Sequence, residues 1–118
     1  LLAASWLPLT SVEQLDGIDV ASAQRPQVLF KHSTRCSTSS FILNRMNLAL
    51  AQFERRADCY FLDLLAHRDV SNAIAARYHV HHESPQVLLI VAGECTLELS
   101  HIEIEAAEIL KALPVAVS

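Results

Sequence analysis

The sequence predicts an α/β chain: a four-stranded mixed sheet with helices on both faces. Three observations carry this. Two short apolar runs, Val28-Leu29-Phe30 and Cys59-Tyr60-Phe61-Leu62, flank a stretch in which Phe41, Ile42, Met46, Leu48, Ala49 and Phe53 recur near a helical period. A strand–helix–strand unit of that kind requires a right-handed parallel crossover. Farther on, Val87-Leu88-Leu89-Ile90-Val91 is followed, after Gly93-Glu94, by the alternating Thr96-Leu97-Glu98-Leu99. That pair reads as an antiparallel hairpin added to the same sheet. At 118 residues the chain can bury one core of this kind, and residues 1–118 are read as one domain.

The elements follow in order. Leu1-Leu2-Ala3-Ala4-Ser5 lacks the charged start of a secretion signal, and residues 1–10 are read as a loose segment, with Trp6 as a packing anchor. Ser11-Val12-Glu13-Gln14 has the pattern of a capping box. Val12, Leu15 and Ile18 would form the buried stripe of its helix, which Pro26 stops. After the first strand, Lys31 to Arg35 is a polar loop, and Ser37 to Ser40 supply hydroxyls at the next helix start. The second strand, reaching Leu64 and Leu65, leads to a helix opening near Asp69 with Val70, Ile74, Ala75 and Tyr78 on one side. Val80 to Ser84 is a loop, and Pro85 introduces the hairpin. A last helix spans Ile102 to Leu113, with Ile102, Ala106, Ile109, Leu110 and Leu113 on one side and Pro114 ending it.

Composition removes several function classes. The formal net charge of -4 disfavours nucleic-acid phosphates. No run approaches the ~20 apolar residues of a membrane span. Two glycines cannot build a Gly-rich phosphate loop. Three cysteines, Cys36, Cys59 and Cys95, are no disulfide framework. They suit a reducing compartment, so a cytoplasmic location is expected.

Cys36 is where chemistry concentrates. It falls between a buried strand, a short loop and a helix start. Unpaired N–H groups and the helix dipole favour an anion there. A cysteine so placed is expected as the thiolate, the species that attacks a disulfide. Arg35 and Lys31 add positive charge, as His32 does when protonated. The flanks, Ser33-Thr34-Arg35 and Ser37 to Ser40, are too polar for a core segment, which weighs against a small buried hydrophobe. Ser39 has two readings, a hydroxyl donor to the sulfur or an ordinary helix-start residue. Asp63 also has two, an orienting group for the loop after it or a solvated carboxylate. Cys59 and Cys95 are read as structural. His79, His81 and His82 are read as a polar loop rather than a metal site, since ligands must converge from more than one segment.

The stretch Phe30-Lys31-His32-Ser33-Thr34-Arg35-Cys36, with Ser39 completing Cys-x-x-Ser, resembles the active site of the monothiol bacilliredoxin-like proteins. These are small thioredoxin-fold proteins of the bacillithiol redox system. The resemblance continues through Asp63-Leu64, His67-Arg68-Asp69-Val70-Ser71-Asn72, His82-Glu83-Ser84-Pro85-Gln86-Val87, Gly93 and Ser100-His101, most of the chain from 27 to 113. It implies a thioredoxin-like fold in which Pro85 is a cis-proline facing Cys36 and Ser84 offers backbone groups to an extended substrate. The expected catalytic set is Cys36, Ser39 and Arg35. The expected substrate-binding set is Thr34, His32, Ser84 and Pro85, with no metal. Two departures stand out. Ser37 replaces the proline expected after the active cysteine, removing a preset helix start. Ser39 and Phe30 stand where dithiol thioredoxins carry a second cysteine and a buried acid.

The implied activity is thiol–disulfide exchange at one cysteine. The Cys36 thiolate attacks the mixed disulfide of an S-thiolated client protein and keeps the small thiol, and an outside thiol regenerates it. No resident cofactor is expected. Bacillithiol, the co-substrate, is named by the resemblance alone. The expected partners are client proteins and the small thiol, with no nucleic acid and no membrane. Two alternatives remain at this stage: a non-catalytic thioredoxin-fold binding module, and a redox stress sensor modified at Cys36.

Overall fold

The structure, a computed structural model, describes residues 6–114. Leu1-Leu2-Ala3-Ala4-Ser5 therefore lies outside the described residues. The rest of the expected loose start is packed: Leu7–Pro8 forms a short strand (β1), while Trp6 and Leu9 are buried. The chain continues through α1 (Gln14–Ala21), β2 (Gln27–His32), α2 (Ser37–Glu54), β3 (Asp58–Asp63), α3 (Arg68–Tyr78), β4 (Gln86–Val91), β5 (Glu94–Ser100) and α4 (Ala106–Ala112).

The sheet has five strands, in the order β1-β3-β2-β4-β5, one more than predicted. The addition, β1, is two residues long and includes Pro8, too short for any periodicity to show. It pairs parallel with β3 through Leu7 and Tyr60. β3 runs parallel to β2, and β2 antiparallel to β4. β4 and β5 close a hairpin on Ala92 and Gly93, both at positive φ (51° and 78°), the two-residue turn that matches strand twist.

Alternation along β2 divides the core. Val28 and Phe30 face a cluster with Ile42, Met46 and Phe53 of α2 and Ile109 of α4. Leu29 faces the other cluster, with Leu15 and Ile18 of α1 and Val70 and Ile74 of α3. Helices thus cover both faces, as predicted. Met46 and Phe53 are fully buried, and burial of side chains of that size stabilises by about 1.5–3 kcal/mol each.

Three local expectations shift. The α1 cap is carried by Gln14, whose Oε1 accepts the N–H groups of Thr10 (2.7 Å) and Ser11 (3.0 Å). The Ser11 half of the box does not form, because the helix starts only at Gln14. In α2, Phe41 and Leu48 are exposed while Ile42, Met46, Ala49 and Phe53 are buried. The last helix begins at Ala106, not Ile102. A 3-10 turn, His101–Glu103, replaces its first turn, with His101 at a positive φ of 55°. Arg45 of α2 donates to the carbonyl of Ile104 at 2.8 Å, which holds this segment out of helix.

Candidate active site

The C-terminal end of β2 and the N-terminal end of β4 lie side by side, since Lys31 is paired with Gln86. Cys36 follows β2 and Pro85 precedes β4, so both emerge at one end of the sheet. Cys36 is the N-cap of α2, in extended conformation (φ -110°, ψ 118°). Its N–H donates to the Ser33 carbonyl at 3.2 Å, and its own carbonyl accepts the first helical bond, from Ser40, at 3.1 Å. The side chain caps no helix amide, and the first turn of α2 holds no acidic residue. The sulfur is half-buried at the start of an eighteen-residue helix, with no carboxylate in that turn. Thr34 and Arg35, just before it, are exposed at the mouth of the site.

His32 lies deeper than a loop residue. It belongs to β2 rather than to the predicted 31–35 loop, and it is only 5 % exposed. Its ring lies 5.3 Å from that of Phe61 and 6.0 Å from that of Phe30. Ser39 is completely buried one turn below Cys36. Its Oγ lies 3.1 Å from the Ser33 N–H, which it accepts, and 2.7 Å from His32 Nδ1. Burial pushes His32 below the ordinary histidine value, against the opposing pull of Asp63. With the Ser33 N–H and His32 Nδ1 both at hydrogen-bond distance, the Ser39 oxygen is tied to the strand end below the sulfur. The Asp63 carboxylate accepts the Leu65 N–H at 3.2 Å, orienting the loop after β3.

Across the site, the Ser84–Pro85 bond is cis and Pro85 is buried. The Pro85 carbonyl accepts the His101 N–H at 3.0 Å, and the Ser84 hydroxyl is buried without a partner. A shallow groove of about 290 Å³ runs beside Cys36, lined by Ser37, Thr38, Phe41, Ile42 and Ile102. Its apolar rim is exposed, with Phe41 at 58 % and Ile102 at 70 %. Arg45, 5.1 Å above the Phe41 ring, joins the two sides of the groove through the Ile104 carbonyl.

Residues 7–109 match the family model described as monothiol bacilliredoxin BrxC. The chain belongs to the monothiol bacilliredoxin family. It is similar over 92 % of its length, at 30 % identity and a TM-score of 0.78, to a solved protein described as a candidate oxidoreductase with a thioredoxin fold, of which it covers 93 %. Thioredoxin from Malassezia sympodialis (11 % identity, TM-score 0.72, 95 % of this chain and 90 % of that one) shares the fold. So does a mutant thioredoxin from Halobacterium salinarum (15 %, 0.72, 100 % and 98 %). Family and fold together give this bacilliredoxin a thiol–disulfide oxidoreductase role, acting on thiol-modified proteins and low-molecular-weight thiols.

Its other sulfurs are poorly placed for that chemistry. Cys59 is buried on β3, where desolvation pushes its thiol up to about 12. Burial also raises Cys95, whose thiol donates to the Leu97 carbonyl. No group of three metal-ligating side chains converges among the described residues, and His79, His81 and His82 line a loop. No helix among the described residues is long and apolar enough to cross a membrane. Two features of this bacilliredoxin escaped the sequence reading. Lys31 is fully buried and points to the sheet face opposite His32, not toward Cys36. Ile102 lines the groove instead of the core. Strand alternation past Phe30 was the available signal for Lys31.

Proposed function

We propose that this bacilliredoxin removes bacillithiol from protein mixed disulfides through the Cys36 thiolate, in the cytoplasm. The observation that supports it most is a half-buried Cys36 at the N-cap position of α2 with an oxygen, not a sulfur, one turn on at Ser39. The thiolate attacks the small-thiol sulfur of the client disulfide. The client leaves as thiolate, and Cys36 holds the small thiol as a new disulfide. A second small thiol, as thiolate, then attacks that sulfur, and Cys36 returns as thiolate while the two small thiols depart as their disulfide. Ser39 has no sulfur to offer, so the second step must come from outside.

The neighbours take part in this reading as their positions support. Arg35 and Thr34, at the exposed mouth, meet the incoming disulfide. Ser84 and Pro85 receive the client backbone in extended form. His32 is buried against Ser39 and acts on that hydroxyl rather than on the client. No resident cofactor takes part.

The test is a Cys59→Ala/Cys95→Ser protein, whose only thiol is Cys36, mixed with a bacillithiolated client. Mass spectrometry is expected to show a freed client and one bacillithiol on Cys36, which added bacillithiol then releases. No transfer overturns the reading. Transfer without release replaces it with the sensor.

A further inference from the structure

Lys31 is the one fully buried ammonium group among the described residues. It projects from β2 into the layer that holds Leu29 and Leu88, on the face away from Cys36. Burying an ammonium costs several kcal/mol unless it is hydrogen-bonded. Its Nζ lies 2.8 Å from His82 Nδ1. Ser71 of α3 brings its hydroxyl to the same ring nitrogen at 3.2 Å. His82 sits midway along the loop between α3 and β4, two residues before Ser84. The loop is held again at His81, whose carbonyl accepts from the Gln86 side chain at 2.9 Å.

This places a tether directly upstream of the Ser84–Pro85 edge. Pro85 is in turn bonded through its carbonyl to His101, next to the Ile102 wall of the groove. We propose that Lys31 and His82 are positioning residues for the exchange reaction: their hydrogen bond fixes loop 80–84, so that Ser84 and Pro85 present a rigid edge to the disulfide-bearing segment of a client protein. The inference rests on the exchange reading above and adds how the site discriminates protein disulfides from small ones.

The tether is sensitive to acid. Nδ1 accepts from Lys31 only while unprotonated; a proton there sets two donors of like charge face to face. Burial and the Lys31 charge both hold His82 below the usual histidine value. Around it stand Lys31 on β2, Arg68 on α3, and Glu83 and His81 on its own loop. Lys31 itself faces Glu98 of β5 and Glu83, while burial lowers it to about 8. On the alkaline side the amine loses charge but still donates.

Steady-state kinetics with a bacillithiolated client, and with the small mixed disulfide of bacillithiol and 2-mercaptoethanol, test this. Lys31→Met and His82→Leu are expected to raise KM for the client about tenfold with kcat unchanged, and to leave kcat/KM for the small disulfide within about twofold. His82→Gln keeps a neutral acceptor. It is expected to retain the wild-type KM at neutral pH and to lose the rise in client KM that the wild type shows as the pH falls below the usual histidine value of about 6.5. Unchanged client KM in the first two variants, or equal losses on both substrates, overturns the tether. An acid rise that survives in His82→Gln overturns it as well. Amide exchange at His101, whose N–H is held by the Pro85 carbonyl, reads the tether without turnover. It is expected to speed about tenfold in Lys31→Met and His82→Leu and to stay at the wild-type rate in Cys36→Ser. Unchanged exchange overturns the tether. Faster exchange in a protein that moves no thiol supports it and overturns the exchange reading alone.

Discussion

Ser39 Oγ and His32 Nδ1 are 2.7 Å apart, and the same oxygen accepts the Ser33 N–H, so the hydroxyl one turn beyond Cys36 is tied into the interior. Replacing it therefore acts first on stability. Ser39→Ala leaves the Ser33 N–H and His32 Nδ1 without their partner, and an unsatisfied buried polar group costs about 1–3 kcal/mol. A urea titration is expected to show a loss in that range. No loss would mean that the hydroxyl has no structural part.

His32 makes the fold sensitive to acid. Its folded pKa lies below the unfolded value near 6.5. Between the two, the unfolded chain binds a proton that the folded chain does not. Stability is thus intact above about pH 6.5 and falls as the pH drops toward the folded pKa, by at most about 1.4 kcal/mol per pH unit from this group. His82 shifts in the same direction and adds to the slope. His32→Asn, which keeps a hydrogen-bonding group for Ser39 but cannot titrate, is expected to flatten the slope in part. An unchanged slope would rule out His32 as its source.

Phe30 stands on β2 six residues before Cys36. It stacks 5.7 Å from Trp6 and meets Phe61 edge-on at 6.0 Å, fully buried. Phe30→Ala is expected to cost about 3–5 kcal/mol, as for other buried aromatics. A loss below about 1 kcal/mol, read from the urea midpoint, would contradict this packing.

The cysteines should separate by accessibility. Iodoacetamide at neutral pH is expected to label Cys36 in the folded protein and to spare Cys59, which is buried and pushed up to about 12. Cys59 should label only after denaturation. Peptide mass spectrometry after timed quenching gives the order, and early labelling of Cys59 would contradict the burial.

Much of the fold was legible because its signals are local. Val28 to Phe30 and Val87 to Val91 announce strands by content alone, and the place of Cys36 follows from where a strand ends and a helix begins. The polar parts of the site were harder. Lys31 and His32 look like loop because their side chains are polar, yet both lie in β2. What buries them comes from elsewhere: His82 for one, Ser39 and Phe61 for the other. Ile102 fits a helical stripe, but the segment is bonded to Arg45 on α2, a contact no local period reveals. β1 left no signal, because two residues cannot show an alternation.

That short strand has a further effect. A sheet ends safely only where its outermost backbone cannot recruit another chain. At one margin, Leu7–Pro8 is too brief to template a neighbour, and Pro8 has no N–H to lend. At the other, β5 turns Glu94, Thr96 and Glu98 to solvent, setting two carboxylates in the path of any added strand. Among the described residues, both margins of the sheet are thus guarded against accumulating further copies of the chain.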